Sequence, residues 1–88
     1  MMIQEKIAGG KMICVDADVS EGMIKKIRIC GDFFLHPEEL IMTIEKELIG
    51  TEVNSVSAKV AHILKKNDAQ LIGATPDDIE RLVIKAVS

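Results

Sequence analysis

The 88-residue sequence predicts a two-layer α+β fold, a three-stranded antiparallel meander followed by three helices on one face. Three observations carry this reading. Up to Phe34 the apolar residues recur at every second position, which is the period of a half-buried strand. From Pro37 onward they recur at spacings of three and four, the period of a helix face. Strands that are apolar on one side only need helices to cover that side.

The elements follow in order. Ile3 and Ile7 flank a short extended piece that meets Gly9-Gly10, two glycines able to take the positive φ angles of a two-residue hairpin turn. From Lys11 to Val19, Ile13, Val15, Ala17 and Val19 alternate with Met12, Cys14, Asp16 and Asp18. Ser20-Glu21-Gly22 then turns the chain into a second run, Met23 to Phe34, with Ile27, Ile29, Gly31 and Phe33 on one face. Centring the hairpin on that turn sets Cys14 opposite Arg28 and makes Cys14 and Cys30 diagonal neighbours, roughly 7 to 8 Å apart. Met12, Cys14, Ile24 and Cys30 fall on the open face with Lys26 and Arg28, which makes it more apolar than a solvated face requires.

Pro37-Glu38-Glu39 has the chemistry of a helix start, proline at the first position and carboxylates near the positive end of the dipole. Leu40, Ile41, Ile44 and Leu48 form the stripe of a helix from Pro37 to Ile49, and Gly50 is its left-handed stop. Val56, Val60, Ile63 and Leu64 define a second helix ending near Asn67. Leu71-Ile72-Gly73 reads as an extended connection, after which Thr75 caps a third helix led by Pro76-Asp77-Asp78.

Composition narrows the function. One domain over residues 1–88 is all this length allows. So short a chain removes only about 60% of its unfolded surface on folding, and a deep cleft of its own would consume the core. The net charge of -3 and the presence of only two aromatics, Phe33 and Phe34, argue against nucleic acid, which needs clustered positive charge and stacking rings. No apolar run approaches the ~20 residues of a membrane span, and the first residues lack a signal-peptide core. The expected location is therefore cytoplasmic, where two cysteines remain thiols.

Cys14, Cys30, His36 and His62 form a nominal metal set, but they lie apart in sequence, whereas structural zinc ligands come in close pairs. Cys30 with His36 lacks an orienting group and an oxyanion hole, so no catalytic residue is assigned. Lys6-Ile7-Ala8-Gly9-Gly10-Lys11 offers backbone N–H groups and two lysines to phosphate oxygens, but it lacks P-loop spacing and precedes a strand, so on the spacing alone a plain hairpin is the better reading. In Gly31-Asp32-Phe33-Phe34 one ring points away from the core if its neighbour points in. A bend with both rings wrapped on the sheet edge and an interface are both compatible with that motif.

These segments together resemble the C-terminal accessory domain of lipoate-protein ligases. The matches are Lys6 with Gly9-Gly10-Lys11-Met12, the Gly22 to Ile29 hairpin, Gly31-Asp32-Phe33-Phe34, Pro37-Glu38-Glu39 through Leu48-Ile49-Gly50, and Leu71-Ile72-Gly73-Ala74-Thr75-Pro76-Asp77-Asp78-Ile79. Ala8 stands where the family usually has proline. The resemblance implies a stand-alone small subunit in a heterodimer with a large catalytic subunit, which uses ATP with Mg and lipoate to form lipoyl-adenylate and then lipoylates a lysine of an acceptor domain. It implies no cofactor bound by this chain alone and only indirect contact with the acceptor. It places Lys6, Gly9, Gly10 and Lys11 nearest the phosphates, and Gly31, Asp32, Phe33 and Phe34 at the subunit interface or bracing it. The implied fold is similar to sulfur-acceptor and iron-sulfur scaffold proteins, so a sulfur or cluster carrier is the alternative, although such scaffolds generally present three cysteines. A generic protein-interaction module is a further alternative.

Overall fold

A computed structural model describes residues 2–7, 9 and 11–87. The meander is present as β1 (Met2–Lys6), β2 (Met12–Ser20) and β3 (Met23–Gly31), in the order β1-β2-β3 with both pairings antiparallel. Three helices follow, α1 (Leu40–Leu48), α2 (Val56–Lys66) and α3 (Pro76–Ala86). The α+β class and a three-stranded meander ahead of the three helices are as the periodicities predict.

The core lies between the layers. Ile13, Val15, Ala17, Ile27 and Ile29 point from the sheet into a cluster with Leu40, Ile44 and Leu48 of α1, Val56, Val60 and Ile63 of α2, and Ile79, Leu82 and Val83 of α3. α1 packs on β3, α3 on β2 and β1, and α2 on both other helices. Each fully buried Ile or Leu contributes about 1.5–3 kcal/mol. The outer edge of β3 is covered: Ile29 N–H donates to Glu45 Oε2 of α1 at 2.8 Å, and the backbone of residues 50–53 bonds to Gly22 and Ile24. These contacts occupy part of an edge that would otherwise be open to strand pairing.

The β2–β3 register differs from expectation. The turn is the two residues Glu21 and Gly22, with φ of 55° and 78°, the backbone of a type I′ hairpin. A bulge between Asp18 and Val19 then leaves Lys25 without a cross-strand partner. Each departure shifts the pairing by one, so Cys14 faces Cys30 rather than Arg28, and Asp16 takes Arg28. The cysteines are therefore direct neighbours, Cα to Cα 5.1 Å, with their sulfurs paired as a disulfide. The bulge also turns Ile24 inward, where it is fully buried, so it leaves the open face; Lys25 and Lys26 are both exposed. In the first hairpin Lys6 pairs with Met12 and Ile7 N–H donates to Lys11 O, which centres the register on Gly9 rather than between Gly9 and Gly10.

Two further differences concern the joins. The expected strand from Met23 to Phe34 breaks after Gly31, and Phe34–His36 forms β4, which pairs antiparallel with β5 (Gln70–Ile72), the segment expected to be a connection. The His36–Pro37 peptide is cis, and α1 begins at Leu40 rather than Pro37. Pro37, Glu38 and Glu39 make bonds to the third residue on, a tighter entry turn, so the two carboxylates precede the helix instead of occupying its first turn. Gly50, at φ +84°, ends α1 as expected, and a 3-10 turn, Val53–Ser55, leads into α2.

Candidate functional site

The site is assembled at the end of the sheet where β2 begins and β3 ends. Gly31 has φ +145°, and a Cβ there would stand 2.9 Å from Ile13 Cα and closer still to the Met12 carbonyl oxygen. Only glycine lets β3 lie this near β2 while the chain leaves the sheet. Asp32 N–H then donates to Met12 O at 2.8 Å, fixing the departing segment to the start of β2.

The next two residues separate by face. Phe33 packs against the core cluster, whereas Phe34 is 69% exposed. Phe34 pairs across β4–β5 with Ile72, itself 62% exposed, so two large apolar side chains share the outer surface of this small sheet. Beside them lies a groove of about 380 Å³ lined by Ile29, Cys30, Gly31, Phe33, Phe34, Leu35, Glu38 and Ile41.

The third segment arrives from the far end of the chain. Gly73 has φ +91°, and a methyl group on it would lie 3.5 Å from Phe33 Cα, 3.7 Å from Lys11 Cγ and 3.8 Å from Asp32 O. The structure thus brings Lys11, Asp32 and Phe33 together around Gly73. Lys6 does not join them: it stands opposite Met12, and strand alternation sends its side chain to the open face. Gly9 forms the hairpin tip at φ +87°, and Gly10 lies outside the described residues.

β5 and Gly73 are the parts that residue patterns missed. Three residues are too few for a period of two to register, and the only sequence signal was Leu71-Ile72 bounded by Gly73. Among the described residues no three His, Cys, Asp or Glu side chains gather as metal ligands would, and no helix is long and apolar enough to cross a membrane. The clearest charge cluster lies elsewhere: Glu5 of β1 accepts from Arg81 at 2.6 Å and Lys85 at 2.8 Å, and Arg81 also reaches Asp78 at 3.5 Å. The hydrogen bond from Lys85, then that from Arg81, holds the Glu5 carboxyl below the usual range, and Glu5 in turn raises the Arg81 guanidinium.

A family model, the bacterial lipoate protein ligase C-terminus, matches residues 2–83, a span that contains all three converging segments. The chain belongs to that family. Membership ties the lipoate-ligase C-terminal domain described here to protein lipoylation. Its fold is also that of the small subunit in a solved archaeal lipoylation system, a bi-partite lipoate protein ligase and its E2 lipoyl domain from Thermoplasma acidophilum. The TM-score is 0.74 at 28% identity, covering 100% of this chain and 96% of that one. A search of curated protein sequences gives no match.

Proposed function

We propose that this chain is the small subunit of a bipartite lipoate-protein ligase and acts in the first half-reaction, formation of lipoyl-adenylate on a separate large subunit. In that step a carboxylate oxygen of lipoate attacks the α-phosphorus of ATP and pyrophosphate leaves. In the second, an acceptor lysine amine attacks the acyl carbon and AMP leaves. The observation that carries the reading is the assembly of Lys11, Asp32 and Phe33 around Gly73 beside an exposed apolar pair, in a chain whose family and structural neighbour are both lipoate ligases.

The role is conformational. The Phe34–Ile72 surface and its groove dock on the large subunit, and the docked domain lends binding energy only to the loop arrangement that closes over ATP and lipoate, shifting its population. Lys11 adds positive charge near the phosphates in this reading, which its position beside Gly73 at the end of the sheet supports. Lys6, on the opposite face, serves the same phosphates only if the hairpin tip itself enters the large subunit's site. ATP and its Mg, and lipoate, are substrates held by the large subunit. The sulfur-carrier alternative is weaker, because such scaffolds generally present three cysteines and this chain has only Cys14 and Cys30.

Lipoate-dependent ATP–pyrophosphate exchange by the large subunit, with and without this chain, tests the proposal. Exchange is expected only with both chains, and equal rates overturn it. A Lys11→Ala chain is expected to bind the large subunit normally and lower exchange by about tenfold, the scale of one lost charge-assisted contact; full exchange removes Lys11 from the phosphate role.

A further inference from the structure

We infer that Cys14 and Cys30 form a reversible dithiol–disulfide couple, with Cys30 the attacking thiol and Cys14 the resolving one, a redox modification site that keeps the wall of the Phe34 groove clear of thiol adducts. Register, separation and unequal exposure carry the inference. The two residues are directly opposed on β2 and β3, and their 5.1 Å Cα separation lies inside the span a disulfide bridges without backbone movement. Cys30 is exposed on an outer strand and lines the groove, whereas Cys14 is only 8% exposed on the middle strand between β1 and β3. A small disulfide in solution therefore reaches Cys30 and is kept from Cys14.

The chemistry is thiol–disulfide exchange with a low-molecular-weight disulfide, for which glutathione disulfide is the probe. The Cys30 thiolate attacks one sulfur of the probe, breaking its S–S bond and releasing one glutathione thiolate. Cys14 thiolate then attacks the Cys30 sulfur of the mixed disulfide and releases the second. The two cysteines are oxidised by two electrons, glutathione disulfide is reduced to two glutathiones, and the two cysteine protons end on them. Without Cys14 the adduct would remain on Cys30, inside the groove. Excess reduced glutathione reverses the sequence, because the exposed sulfur of the pair is open to attack.

The test uses the full chain, reduced and then exposed to glutathione disulfide, acid-quenched, alkylated and weighed intact. The wild-type chain is expected to lose two hydrogens in mass with no lasting adduct, C14S to accumulate one glutathione on Cys30, and C30S to react at least about tenfold more slowly, as a shielded thiol does. Reduced glutathione in excess should restore both thiols. Peptide mapping of the wild-type chain at short times locates the first adduct without any variant, so the assignment survives a misfolded C14S or C30S. Two thiols that persist in the oxidant, an adduct that first forms on Cys14, equal rates for C14S and C30S, or a disulfide that reduced glutathione leaves closed each overturn the inference.

Discussion

Gly31 shows how much one residue determines here. At φ +145° an L side chain is strained, and a Cβ would press on backbone of β2 that cannot rotate away. Gly31→Ala should therefore destabilise the chain by about 1–3 kcal/mol in urea unfolding; a loss below about 0.5 kcal/mol would show that β3 can leave the sheet by another path. The two phenylalanines beyond it separate structure from docking. Phe33→Ala removes a half-buried ring and should cost about 1–3 kcal/mol, less than the ~3–5 of a fully buried one. Phe34→Ser touches an exposed ring and should leave stability within about 0.5 kcal/mol while weakening association with the large subunit, measured by co-purification or titration. Unchanged association would move the docking surface away from β4–β5.

Among the elements, α3 is the most completely written in local sequence. Thr75 Oγ1 accepts from Asp78 N–H at 3.1 Å, Asp78 Oδ2 accepts from Thr75 N–H at 3.0 Å, and Pro76 opens the helix, so three residues within one four-residue segment specify its start locally. Thr75→Ala should cost about 1 kcal/mol, read as a lower urea midpoint; no shift would mean that packing alone holds the helix start. The start of α1 was less legible, because Pro37-Glu38-Glu39 carries the same signature but serves an entry turn after β4, and that strand exists only because residues 70–72 come back to pair with it. The bulge at Asp18/Val19 was illegible for the same reason. Alternation along β2 and β3 tells which residues share a face, but the count of residues between two strands does not say where one is left over, so Ile24 and the Cys14 partner were both misplaced by a local rule correctly applied. Lys11 and the Gly31–Phe34 motif were visible as residues, whereas their meeting at Gly73 depended on a long-range return of the chain.

For the whole molecule, one long-range tie with a shifted carboxyl is Glu5 with Arg81 and Lys85, which joins the first strand to the last helix. The Glu5 carboxyl is held low by its two hydrogen-bonded partners. A carboxyl lowered in the folded state stabilises that state fully above its unfolded value of about 4.3, and the contribution is lost as pH falls through the lower, folded value. Glu5→Gln should accordingly unfold at a lower urea concentration than the wild type at pH 7, and the difference should shrink on acidification until the two chains coincide well below pH 4. Because all three side chains are part-exposed, added salt should shrink the same difference at pH 7. A gap between wild type and Glu5→Gln that stays constant from pH 7 to strongly acidic conditions would mean that Glu5 holds α3 against β1 through packing of its stem and not through its charge.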